Sequence, residues 1–338
     1  MSCIKEPEPP ISAGQYDNGL IILCEGLFNA NNSSLAYYDL ETGEVFNNVF
    51  LAENGRGLGD TANDMIMYEK DGQKYIIICV DVSSQVEILN ASTLKSVAQI
   101  PMFDGTNARE PRRVTVNDDV TKAYIANFDG TVAIIDLNTY EVLKFIEVGD
   151  NPDAIVYLND RIYVPNSGGL NFPIYDSTIS VIDAISEEVV DTYPCPINSV
   201  SLVVNDADFI YLRSNGNYSD IDPSFLKINA LTGEEIFKWD VNYSSFQIVD
   251  ENLYFYDSDA DQVRRLNMIT DAVDETYSVS LDVIETFGGF HYDPQTEITY
   301  LFDLNGYTSI SEIFIMGSTG SQIGVFEVGL NANTIIKS

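Results

Sequence analysis

The chain has 338 residues, 45% of them hydrophobic, with 52 Asp and Glu against 17 Lys and Arg. A net charge of −35 and a pI near 4.1 exclude the basic stripe that nucleic-acid phosphates require. The acids are spread over turns and are not massed in one tail. Length alone suggests two domains, but the repeat described below assigns nearly the whole chain to one.

Residues 1–17 begin MSCIKEPEPPISAG, a polar, Pro-rich stretch that predicts a flexible tether ahead of one folded domain over 18–338. Ser2-Cys3 is similar to the end of a bacterial lipoprotein signal whose leader has been removed, which makes Cys3 the lipidated residue. Lys5, Glu6 and Glu8 resemble the short charged export signal of surface-displayed lipoproteins. The alternative is a disordered terminus with an incidental Cys. No stretch is long enough to cross a membrane, so contact with one is expected only through the lipid.

GLIILCEG (19–26) predicts a strand with no partner before it, and LAYYDLETGEVFNNVF (35–50) predicts a strand, a turn and a second strand. The second pattern recurs in QVEILNASTLKSVAQI (85–100), TVAIIDLNTYEVLKFIEV (131–148), TISVIDAISEEVVDTY (178–193), FLKINALTGEEIFKWDV (225–241), QVRRLNMITDAVDETY (262–277) and EIFIMGSTGSQIGVFEV (312–328). The first strands close at Asp39, Asn90, Asp136, Asp183, Asn229, Asn267 and Met316, spaced by 38 to 51 residues. Asp or Asn opens the turn by bonding its side chain to the backbone two residues on, and Thr or Ser three positions later supports it. Gly43 and Gly233 stand where the chain needs φ > 0. Upstream lies a second pair of strands, as in RRVTVNDDVTKAYIAN (112–127), DAIVYLNDRIYVPNS (153–167) and SSFQIVDENLYFYDS (244–258). Four strands in about 45 residues make a propeller blade.

The last residues, VGLNANTIIKS (328–338), echo VGDNPDAIVYL (148–158), which enters an innermost strand. The C-terminus therefore supplies strand A of the blade that the N-terminus completes. The predicted fold is an all-β, seven-bladed propeller of four-stranded blades (A to D from the axis outward) with no helix of useful length. An open β-sandwich or a solenoid would leave the overlap of the termini unexplained.

In a propeller the B–C and D–A connections share one face, and the long ones here are of those two kinds: 27–34, 166–177, 214–224 and 303–311, then 51–63 and 102–113. Long loops on a rigid frame carry binding residues. The candidate ligand-binding set is Phe28, Asn29, Asn31, Arg109, Arg112, Phe128, Asn166, Phe172, Tyr175, Asn215, Tyr218, Tyr243, Asp257 and Tyr307. Flat rings and amides suit a bulky, neutral, polar ligand, although Asn and Gly also simply make loops. Arg109, Arg112 and Arg113 fit a phosphate or carboxylate, or ion pairs between blades.

Catalytic signals are few. His291 is the only histidine and sits in an A-strand pattern, where a packed ring is expected, and no nucleophile elbow accompanies it. Asp257, Asp259 and Asp261 alternate as in a calcium loop but lack its Gly and distal Glu. Carboxylate pairs of the glycosidase kind have acids to draw on, but none is marked. Cys24 and Cys79 fall at matching places in B strands and predict buried thiols; Cys195 lies in a D–A connection. Four cysteines without regular spacing give neither a disulfide framework nor a metal site. Neither an enzyme nor a required cofactor is expected.

Residues 19–65 resemble the opening of a family of bacterial cell-surface propeller lipoproteins. The likeness is carried by Glu25, Gly26, Phe28, Asn32, Leu35, Tyr37, Tyr38, Asp39, Thr42, Glu44, Val45, Asn54, Gly55, Leu58, Gly59, Asp60 and Met65. VGDNPDAIVYLNDRIYVPNSGG (148–169) is similar to the wider YncE-like surface-layer propellers. The opening is nearest to BtuG-type surface lipoproteins that bind vitamin B12. The resemblance implies a non-enzymatic protein on the outer membrane, anchored through Cys3, that captures a cobalamin-like corrinoid and passes it to a TonB-dependent transporter. Its pattern residues are strand and turn positions and name no ligand contact. An extracytoplasmic scaffold for protein partners or surface glycans is the alternative, and a lyase or glycosidase a third.

Overall fold

A computed structural model describes residues 15–205, 208–239 and 243–338. Seven four-stranded antiparallel sheets stand in a ring, and each A strand touches the next until the circle closes. Blade 1 joins the two ends of the chain: Ala332–Lys337 is strand A, Gly19–Cys24 strand B, Ser34–Asp39 strand C and Val45–Phe46 strand D. Leu20 pairs with Lys337 and Ile21 with Ile336, and the Ser338 N–H donates to the Gly19 carbonyl at 3.0 Å. Closure in this way leaves no unpaired inner edge.

Why these residues form strands follows from what lies on each side. In blade 3, Val132 and Ile134 of strand C pack towards blade 4, while Ala133 and Ile135 pack towards blade 2. Both faces are buried, so the run is nearly continuously apolar. Each of the seven junctions between blades has its own apolar cluster. Ile21, Tyr37 and Ile76 help fill the junction of blades 1 and 2. Leu20, Ile22 and Cys24, on the other side of the same B strand, pack with Phe302 of blade 7.

Every first strand of the recurring hairpin ends where the sequence places it, and these are the C strands. In six blades the closing Asp or Asn accepts backbone N–H groups of its turn; Asp136 Oδ1 takes those of Asn138 at 2.6 Å and Thr139 at 3.2 Å. These bonds hold the carboxyls of Asp39, Asp136 and Asp183 below their usual range. Gly43 and Gly233 have φ of 73° and 71°.

Three expectations change. A six-residue helix, Val49–Asn54, follows the two-residue strand D of blade 1, where the sequence predicts a strand running to residue 50 and then a plain loop. It buries Val49 and Phe50 against blade 2, and Asn54 bonds the Leu94 carbonyl and the Ser96 N–H. Cys24 and Cys79 are both buried but one register apart. Cys24 pairs across from Ala332 and faces blade 7, whereas Cys79 pairs across from Asp64 and faces blade 3. Packing also reaches into the segment expected as tether: Tyr16 is buried edge-on to Tyr37, and its hydroxyl meets Glu53. Cys3 lies outside the described residues. No helix among the described residues is long and apolar enough to cross a membrane.

Candidate functional site

Antiparallel pairing puts the start of strand A, the end of B, the start of C and the end of D at one face. The long B–C and D–A connections therefore share it. On blades 4 and 5 they bring three expected residues together: Phe172 meets Tyr175 edge-on at 6.2 Å, and Tyr175 meets Tyr218 at 6.3 Å. Phe172 and Tyr218 are 71% and 72% exposed. Phe172, Tyr175, Asp150, Asn171 and Ile174 border a depression of about 590 Å³. Phe28 and Tyr307 are exposed on blades 1 and 7, away from this ring cluster.

Other members of the expected set serve the frame. Asn29 and Asn31 take left-handed backbone, φ 61° and 51°, and their N–H groups donate to the Asp60 carboxylate at 3.0 and 2.7 Å. Asn166 is fully buried and donates to Thr178 and Ser180. Tyr243 is buried on Phe255, with ring centroids 3.8 Å apart. Asp257 is buried too, accepting from Asp259, Ala260 and Arg264; its alternating acids form a B–C turn. Arg109 lies 3.8 Å from the Phe145 ring centroid and pairs with Asp129 at 2.6 Å. The side chains of Asn166, Tyr243, Asp257 and Arg109 are thus taken up within the protein, and the loop face does not present them.

Arg112 and Asn215 belong to a feature that loop length did not reveal. Six A strands carry an extra, unpaired residue near their start: Asn333, Asn63, Arg112, Val200, Ser245 and Gly288. In blade 4 Asp153 takes the corresponding place, beside the Pro152–Asn166 bridge. A bulge re-aims a residue. Here one from each blade lines an axial cavity of about 490 Å³, with Glu25, Asp64, Arg113, Arg213 and Asn215. Left-handed Thr61, Glu110, Asn151, Asn198 and Asn331 stand just before these strands. The recurrence of Asn there is the trace that the bulges leave in the sequence.

The cavity wall from blades 2 to 4 is tied together by the ion pairs of Arg112. Arg112 bonds Asp81 at 3.0 Å and Asp153 at 3.1 Å, and its guanidinium lies 4.2 Å from the Phe128 ring centroid. Arg113 donates to the Asn63 carbonyl at 2.7 Å. Burial raises the carboxyls of Glu25, Asp64 and Asp81, opposed by these arginines. Among the described residues no cluster of His, Cys, Asp or Glu is arranged to hold a metal ion. His291 packs 6.2 Å from Tyr300, and burial lowers it to about 4.

The fold is shared widely among solved structures. A quinoprotein alcohol dehydrogenase-like protein from Bacteroides thetaiotaomicron is 13% identical, with a TM-score of 0.65 over 95% of this chain and 78% of that one. Hydrazine synthase of Kuenenia stuttgartiensis is 15% identical, with a TM-score of 0.61 over 78% and 92%. The computationally designed Ika8 protein is 12% identical, with a TM-score of 0.59 over 97% and 92%. At such identities the likeness is one of fold. No curated protein matches. The model of a family described as a domain of unknown function, DUF5074, matches residues 18–323, and the chain belongs to that family.

Proposed function

We propose that the protein is a non-enzymatic binding protein whose B–C and D–A face captures a bulky polar ligand. The observation that carries this reading is the Phe172–Tyr175–Tyr218 cluster, three rings held on a rigid frame with two of them largely exposed beside a depression. Aromatic anchors of this kind supply contact area at low entropic cost. The resemblance of residues 19–65 makes a cobalamin-like corrinoid the first ligand to test. It also implies a protein at the cell surface, lipidated on Cys3 and delivering to an outer-membrane transporter.

Titration calorimetry with cyanocobalamin tests the reading. Binding is expected, with Phe172→Ala and Tyr218→Ala each weakening it about tenfold or more, roughly 1.4 kcal/mol. No heat and no rise in Tm at tens of micromolar ligand would remove the corrinoid, since a ligand of the folded state must stabilise it. Leu170 and Ile174, 68% and 79% exposed beside Phe172, favour a protein partner as the second reading.

A further inference from the structure

We propose that Arg213 anchors an oxyanion subsite in the axial cavity, where a carboxylate or phosphate group of a ligand docks against its guanidinium. The chain has 52 acids for 17 bases, yet Arg213 forms no ion pair or hydrogen bond with any described residue through its side chain, and its Nε is buried without an acceptor. Arg56, Arg109, Arg112, Arg264 and Arg265 all have carboxylate partners. A guanidinium cannot shed its charge by deprotonation at working pH. Half-burying it with an unpaired Nε is therefore a cost that nothing in the fold offsets.

The surroundings suit an anion. Arg213 stands on strand B of blade 5, Phe209–Ser214, and Val200, Ser201, Asn215 and Ser245 line its side of the cavity without contributing a carboxylate. Glu25 and Asp64 belong to blades 1 and 2 across the ring, where Arg112 and Arg113 oppose their burial, and Asp153 on neighbouring blade 4 is bonded by Arg112 at 3.1 Å. A planar fork of donors matches carboxylate and phosphate in two-point contact.

The test uses the whole protein in low-chloride buffer, with succinate and inorganic phosphate as separate probes of the two oxyanions. Either probe is expected to raise Tm of the parent and to give a saturable heat at millimolar concentration. Arg213→Gln should lose the response at least tenfold, Arg213→Lys should keep part of it, and Phe172→Ala should keep all of it. Arg213→Met is expected to raise Tm without any anion, because a half-buried, unpaired charge is removed; a merely structural arginine would lower it. An equal response in Arg213→Gln, or none in the parent to either probe, overturns the proposal. The probes are too small to span the rim, so the corrinoid reading stands or falls separately.

Discussion

Acidification should destabilise this propeller through a single imidazole. His291 is held neutral by burial, with its value lowered from 6.5 to about 4; Lys337 lowers it further and Asp293 opposes. In the unfolded chain the ring protonates near 6.5. Stability is thus lost as pH falls below about 6.5, and the loss is complete near pH 4. A difference of about 2.5 pH units at about 1.36 kcal/mol each gives roughly 3 kcal/mol. Urea unfolding at about pH 7 and about pH 4.5 for the parent and His291→Gln checks this. The carboxylates are common to both proteins: those raised by burial favour the fold as pH falls, while depressed Asp39, Asp136 and Asp183 lose their contribution only below about 3.8. Their effects cancel in the comparison. Because the chain has one histidine, its NMR titration needs no assignment. A midpoint at about 6 or above, or parallel pH profiles for the two proteins, would refute the reasoning.

Two further outcomes concern loops of the B–C and D–A face, one of which bears Tyr218. Asp60→Ala removes the acceptor of the Asn29 and Asn31 N–H groups and of the Thr61 hydroxyl, and should cost about 2 kcal/mol while making residues 27–34 sensitive to limited proteolysis. Unchanged Tm and cleavage would show that the loop holds itself. Gly216 has φ 64°, and a Cβ there would collide with the Ile221 carbonyl, so Gly216→Ala should lower stability by about 2 kcal/mol or more and disturb the loop bearing Tyr218. Gly72, with φ 75° and open space around it, isolates the backbone strain: Gly72→Ala should cost about 1 kcal/mol. Equal losses in the two variants would contradict the steric argument.

The number of blades, the closure of the ring and the ends of the C strands were legible in the chain because each rests on local rules. Alternation fixes the strands, and an Asp or Asn bonding its own turn fixes where the hairpin bends. Loop length likewise found the face that carries Phe172, Tyr175 and Tyr218. What loop composition could not separate was one Asn from another: Asn166 is locked between Thr178 and Ser180, whereas Asn215 borders the axial cavity. The same holds for the arginines, where Arg112 finds acids on blades 2 and 4 and Arg213 finds none. Partners and burial are decided by residues one or more blades away, and the one-residue bulges that aim residues at the axis leave the apolar alternation almost unmarked. Only the closed ring determines them.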